Sequence, residues 1–252
     1  MNRTSNPWLV KSTVKQNPKL KLFCLPFAGG SSVAYRDWGR LLPDSIEAIA
    51  VEIPGRGQRL MEPLITSLPE LVEQIGANIR DELDRPYAFF GHSMGATLAY
   101  ELSHHLATRF NTQPSFLFLS GRSAPHLSDR EEPIHQLPDE DFREKIRSFE
   151  GTPPEIMQHK ELMDLLMPII RADFKMVETY VHESRPPLNI PMSLFGGLED
   201  ESTPREHLDA WQGYTTSSFS VRMFPGGHFF LQQQTGRILE LILRDLSGIM
   251  AL

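Results

Sequence analysis

The stretch PYAFFGHSMGATLAYE, Pro86 to Glu101, changes from one kind of local structure to another around a single serine. Tyr87 to Phe90 is a short aromatic run bounded by Pro86, which suits a buried strand. From Met94 onward the apolar residues fall at Met94, Leu98, Leu102 and Leu106, and that step is helical. Ser93 therefore sits on a very tight strand-to-helix turn. Gly91 and Gly95 flank it and leave room for neighbouring backbone that a Cβ would strike. This is the pattern of a G-x-S-x-G nucleophile elbow, which aims a hydroxyl away from a sheet with a helix N-terminus beneath it. The pattern alone also occurs in ordinary glycine-rich turns. The strand before it and the helix after it favour chemistry.

A turn of this kind belongs in a parallel sheet, and the rest of the chain supplies one. KLKLFCLPF reads as a strand closed by AGGSS, and SIEAIAVEIPGRG as a second strand ending in a Pro/Gly turn. Leu68, Val72, Ile75, Ile79 and Leu83 mark an amphipathic helix. SFLFLSG, NIPMSLFGG and SFSVRMF are further strands, and Pro204 to Trp211 and FLQQQTGRILELILRDL are helices. This alternation predicts an α/β fold, a mostly parallel sheet covered by helices on both faces. The first twenty residues read as a loose leader. From Glu131 to Pro187 there are helical patterns, as at Phe142, Ile146 and Phe149 and again at Ile170, Phe174, Val177 and Val181, but no convincing strand. A helical lid inserted above the strand ends, at about residues 131–187, is expected there. The plainer alternative is extra cladding on the same core.

Composition narrows the setting. A chain of 252 residues, 40% hydrophobic, suits one large α/β domain over 1–252. A formal net charge of −7 argues against a general nucleic-acid or anionic-membrane binder. Cys24 is the single cysteine, so no intramolecular disulfide can form, which fits a reducing cytoplasm. Its place in KLFCLPF suits a small buried strand residue. The N-terminal residues lack the apolar core of a signal peptide, and no run is long enough to span a bilayer. The expected location is the cytoplasm.

A serine hydroxyl needs a base to take its proton. Of nine histidines, His228 in FPGGHFFL follows a strand, has Gly226 and Gly227 before it and a helix after it. It alone is presented at the edge where Ser93 should lie. His104 and His105 are too far along the helix after Ser93. The imidazole then needs a carboxylate, which in such a fold falls between nucleophile and histidine in the chain. GGLEDESTP offers Glu199, Asp200 and Glu201, and spacing does not choose among them. Two N–H donors for a tetrahedral intermediate are expected from Met94 and, in the loop PFAGGSS, from Ala28. GGSS there superficially resembles a phosphopantetheine attachment site, but it follows a strand instead of opening a helix. No zinc motif, Walker loop or dinucleotide fingerprint is present, so cofactor-free acyl transfer to water is expected.

LPFAGGSSVAYRDW, VEIPGRGQR, GHSMGA, GGLEDESTP and FPGGHFFL together resemble the stand-alone type II thioesterases that work beside nonribosomal peptide and polyketide synthases. The resemblance runs from about Leu20 to Leu246. It implies an α/β-hydrolase, without metal or other cofactor, that removes stalled or wrong acyl groups from carrier-protein phosphopantetheine thioesters. It also implies Ser93 as nucleophile, Asp200 as acid, His228 as base, and Ala28 and Met94 as oxyanion donors. Pro-Phe-Ala stands where many relatives have Pro-Tyr-Ala. An acyl-CoA thioesterase or carboxylester hydrolase on the same scaffold is the alternative, and a non-catalytic carrier-binding protein a more distant one. The implied partners are acyl or peptidyl carrier domains, met transiently by a monomer. Such carriers are usually acidic, so a local basic patch is expected, with Arg56, Arg59 and Arg122 on the rim of the site.

Overall fold

A parallel strand buried on both faces is mostly apolar on both, and the strands of this chain are so apart from a few buried polar residues such as Lys21, Glu47 and Ser193. The computed structural model describes residues 6–127, 133–149, 151 and 159–250. Among them β1 (Leu9–Val10), β2 (Leu20–Leu25), β3 (Ile46–Val51), β4 (Tyr87–His92), β5 (Phe116–Ser120), β6 (Met192–Gly197) and β7 (Phe219–Phe224) form one sheet. Its order is β1-β3-β2-β4-β5-β6-β7, with β1 antiparallel to β3 and every other pairing parallel. Every residue of β2 to β6 is buried, whereas β7, at the edge, is mostly half-buried.

Alternation along the strands sorts the side chains into two cores. Phe23, Leu25, Ile49, Val51, Phe89, Leu117 and Leu119 meet α2 (Leu68–Ile79) and α3 (Met94–Phe110) on one face. Leu22, Cys24, Ala50, Phe90, Phe118 and Phe195 meet α1 (Trp38–Leu41) and α7 (Phe230–Met250) on the other. Each fully buried Leu or Phe contributes about 1.5–3 kcal/mol relative to exposure. Between β5 and β6 come α4 (Asp139–Ser148) and α5 (Lys160–Glu178), and α6 (Arg205–Asp209) follows β6. Ile134, Phe142, Ile146, Met163, Met167 and Ile170 give α4 and α5 an apolar cluster of their own. Residues 131, 132, 150 and 152–158 of the expected lid lie outside the described residues.

Four expectations need correction. One is Leu83, which lies beyond α2 and the 3-10 turn Arg80–Glu82 that follows it. The leader is not loose where it is described, from residue 6 onward: Leu9 pairs with Val51, Val10 with Ala50, and Trp8 is buried against the core. The reason is that β3 would otherwise present an unpaired edge. The helix expected from Pro204 to Trp211 is α6 followed by a 3-10 turn over Ala210–Tyr214. Helix α5 stops at Glu178, so Val181 lies beyond it and is exposed. No described helix is long and apolar enough to cross a membrane.

Candidate active site

The elbow owes its shape to backbone meeting backbone. Ser93 has φ 54° and ψ −118°, a left-handed conformation that L residues seldom adopt and that must be held by its surroundings. Its N–H donates to Ser120 O at 2.7 Å, and its carbonyl accepts from Ala96 N at 3.0 Å. A Cβ on Gly91 would collide with the Gly95 carbonyl, and one on Gly95 would lie 2.5 Å from Leu25 O. The two glycines of the motif are therefore required by contact. Ser93 itself stays half-exposed at the C-terminal end of β4, where α3 begins.

His228 arrives from the loop after β7. Gly226, at φ 115°, turns that loop, and a Cβ on Gly197 would strike the carbonyls of Gly226 and Gly227. The ends of β6 and β7 can therefore touch, which brings the three acidic candidates within reach of the imidazole. They separate cleanly. Asp200 Oδ2 accepts from His228 Nδ1 at 2.7 Å. Glu199 accepts from the Gly226 N–H, and Glu201 is exposed. Asp200 Oδ1 also accepts from Ser202 N at 3.1 Å and Ser202 Oγ at 2.6 Å. Burial by itself would raise the Asp200 carboxyl, but the bonds from His228 and Ser202 outweigh it and hold it below the usual carboxylate range. A carboxylate only accepts, so Nδ1 donates and Nε2 is the ring nitrogen not committed to Asp200. The imidazole lies over Gly121, where a Cβ would come 3.4 Å from its Cε1. Gly121 follows the Ser120 that accepts from Ser93 N, so the ring and the elbow share one corner of the sheet.

Met94 is the first residue of α3, and Ala28 lies in the loop after β2. Gly95 packs against Leu25 O and Pro26 O, which puts that loop beside the start of α3. Phe27 O accepts from Gly30 N at 2.8 Å, closing a turn with Ala28 and Gly29 at its centre. Gly29, at φ 74°, takes the conformation that the third position of a type II turn needs.

Arg56 and Arg59 overturn the expected basic rim. Both are buried. Arg56 forms a two-pronged ion pair with Asp173 of α5, at 2.6 and 2.8 Å, and also donates to Gly30 O at 3.1 Å. Arg59 donates to Glu52 O and to both Glu62 oxygens, with its guanidinium 4.0 Å from the Trp8 ring centroid. Their charges are spent inside the molecule, so they cannot meet a carrier. Arg122 keeps part of its surface in solvent, and its carbonyl accepts from Trp211 Nε1. Asp173 had no signal in the sequence beyond a charge among charges in RADFK, yet it is fully buried. His92, beside Ser93 in the motif, was also missed. Its Nδ1 pairs with Ser120 Oγ at 2.9 Å, and its ring centroid is 5.0 Å from that of His228. Burial, and next the charge His228 can carry, push its pKa well below the usual imidazole value, so it stays neutral. Among the described residues no group of three or more His, Cys, Asp or Glu side chains could hold a metal ion.

A family model for the thioesterase domain matches residues 20–246. The gramicidin S biosynthesis protein GrsT of Aneurinibacillus migulanus is 37% identical over 246 residues, covering 98% of this chain and 96% of that protein. Among solved structures, the type II thioesterase BorB from the borrelidin biosynthetic cluster matches with a TM-score of 0.88 at 32% identity, covering 95% of this chain and 97% of that one. YbtT, a type II thioesterase from the yersiniabactin NRPS/PKS pathway, matches with a TM-score of 0.84 at 31% identity, covering 94% and 97%. The shared architecture is the α/β-hydrolase fold, as the sequence led one to expect.

Proposed function

This chain belongs to the thioesterase family, and we propose that it works as a stand-alone type II thioesterase. On this reading it clears stalled or aberrant acyl groups from the phosphopantetheine thioesters of carrier domains in a nonribosomal peptide or polyketide synthase. What supports it is that YbtT is a type II thioesterase of an NRPS/PKS pathway, BorB a type II thioesterase of the borrelidin biosynthetic cluster, and GrsT a gramicidin S biosynthesis protein. Cytoplasmic carrier domains would be its partners, met briefly by a monomer.

Ser93 Oγ attacks the thioester carbonyl while His228 Nε2 takes its proton. Asp200 stabilises the imidazolium through the Nδ1 bond. The N–H groups of Met94 and Ala28 receive the oxyanion. Collapse breaks the C–S bond, His228 returns the proton to the leaving thiolate, and an acyl-Ser93 ester remains. Water, giving a proton to the same nitrogen, then attacks the acyl carbon. The ester bond to Ser93 breaks, Ser93 Oγ takes the proton back from His228, and the carboxylic acid leaves. Helices α4 and α5 serve as a lid on the acyl site, within a single domain. The observation that carries the reading is the His228–Asp200 bond, because it commits Nδ1 to the carboxylate and leaves Nε2 as the nitrogen for proton transfer at the corner of the sheet that holds the strained Ser93.

Ser93→Ala should abolish thioester hydrolysis, a loss of several powers of ten, with an unchanged melting temperature. Near-normal turnover by that folded variant would sink the assignment. A matched panel of acyl-carrier, acyl-CoA and carboxylic-ester substrates separates the carrier reading from the two alternative hydrolases. It requires kcat/KM to be highest on the acyl carrier.

A further inference from the structure

Helix α5 reaches into the loop on which the proposed oxyanion donor Ala28 sits. Asp173 Oδ2 accepts from Gly29 N at 2.7 Å and from Arg56 Nη1 at 2.6 Å. Its Oδ1 accepts from Arg56 Nη2 at 2.8 Å, and Arg56 Nη1 returns to Gly30 O at 3.1 Å. One helical turn earlier, Ile170 lies so close to Gly29 that a Cβ there would come 2.7 Å from its Cγ1. The Phe27–Gly30 turn is thus tied from within by its own backbone bond and from outside by α5. Its two glycines would otherwise make it among the more pliable loops in the chain. The bond that closes such a turn uses the N–H of its last residue and leaves that of its second, Ala28, unspent.

We infer that Asp173 and Arg56 are positioning residues for the Ala28 N–H, so that the oxyanion site is complete only while α5 is seated on the loop. The inference rests on the hydrolase reading above. Neither side chain need touch the acyl group: Asp173 is fully buried and both its oxygens are occupied. Arg56 has a second task. An unpaired carboxylate so near a developing oxyanion would oppose it, and the guanidinium cancels that charge. The arrangement would couple the chemistry to the lid, since lifting α5 removes the acceptor of Gly29 N and frees the turn.

Charge and position predict opposite signs, which makes the idea testable. Asp173→Asn leaves Arg56 uncompensated beside the oxyanion, and on charge alone kcat should rise. On positioning it should fall: the amide keeps one oxygen for Gly29 N but turns its NH2 against the Arg56 guanidinium, which breaks the fork that holds the carboxylate and the loop together. With a small acyl thioester that lacks a carrier, we expect kcat to drop about 10- to 100-fold, the upper end being the loss of one oxyanion donor. KM should change by less than about threefold, because the contact matters only in the transition state. Affinity for an alkyl trifluoromethyl ketone, which adds to Ser93 and places an oxyanion in the same site, should fall in proportion to kcat/KM. Arg56→Lys keeps the charge but loses the fork, and should show the same split more mildly. It also covers the case in which Asp173→Asn does not fold. A rise in kcat, a rise in KM with kcat held, or unchanged ketone affinity in a slow variant would each overturn the positioning role. If instead the unaltered protein forms no ketone adduct and Ser93→Ala still turns over, the hydrolase reading falls and takes this inference with it.

Discussion

The strand-end cradle and the helical segment that follows β5 are built on different physical principles. In the cradle, backbone meets backbone: Gly91 against Gly95, Gly95 against Leu25, Gly197 against the carbonyls of Gly226 and Gly227. Nothing there can give without moving a strand. In the helical segment, side chains do the holding. Six buried apolar residues, two of them methionines, form a small cluster. Around it Arg171 donates to His135 O and Leu137 O and pairs with Asp139, while Glu178 accepts from the amides of Ile134 and His135. A small cluster with soft side chains and polar ties can open at lower cost than the sheet beneath it. The rigid half suits bond making. The adjustable half suits admitting a substrate.

The cradle faces its hardest test at the acid. Asp200→Asn should lower kcat by about 10⁴-fold, because an amide at that position no longer favours the Nδ1–H tautomer or the imidazolium. Glu199→Gln should cost little, since its carbonyl oxygen can still accept from Gly226 N–H. Glu201→Gln, at an exposed position, should be close to neutral. Steady-state rates on one thioester would rank the three. If Glu199→Gln proved the most damaging, the cradle would not hold the geometry described.

The helical segment is broken most directly at Phe142, which is fully buried, lies edge-on to Phe174 and has the Arg171 guanidinium 4.2 Å from its ring centroid. Phe142→Ala should cost about 3–5 kcal/mol where it is felt. If the two regions differ as described, native-state hydrogen exchange should show that loss in the amides of α4 and α5. The amides of β2, β4 and β5 should keep nearly all their protection. Equal losses in both would mean that the molecule opens as one unit and that the contrast is false.

The same division explains what the sequence revealed. Ser93 and His228 lie at the ends of strands or in glycine turns, where local pattern and local geometry agree. Local pattern reached only the trio Glu199, Asp200 and Glu201, and the family resemblance was needed to choose Asp200. Phe23 and Leu22 declare opposite faces by simple alternation. The buried charges do not announce themselves. Arg56 follows a strand in a Pro/Gly turn, the usual description of a surface loop. It is interior only because Asp173, 117 residues away, sits opposite it. Arg59 is covered by Trp8, and Trp8 is held there by a two-residue strand too short to show any period. Asp173 has charged neighbours on either side, and its burial depends on how α5 lies over the β2 loop. Burial of a charge is a fact about its partner, and a partner far away in sequence leaves no local trace.

The smallest expected effect lies where the two regions meet. His104, on α3, has a buried Nε2 that no described residue partners, and its ring centroid is 4.8 Å from that of Tyr100. Just past α5, Tyr180 and Arg185 reach the neighbouring Glu101, at 2.5 Å and at 2.6 and 2.5 Å. Burial first, and then the Arg185 charge, push the His104 pKa down to about 4, against a partly offsetting pull from Glu101. The unfolded chain would bind a proton there near the ordinary value of 6.5, so between these two pH values unfolding takes up a proton. The stability due to a neutral His104 is therefore complete above about pH 6.5 and is lost as the pH falls toward 4. His104→Phe keeps a ring beside Tyr100 and cannot titrate. Its melting temperature should fall less steeply over that acid range than that of the unaltered protein, with thioester turnover at pH 7.5 nearly unchanged. His92, His105 and His182 are also pushed down by burial, so part of the slope should persist. Melting curves at several pH values would decide it. An identical slope in both proteins would mean that the junction between core and helical segment does not sense acid through His104.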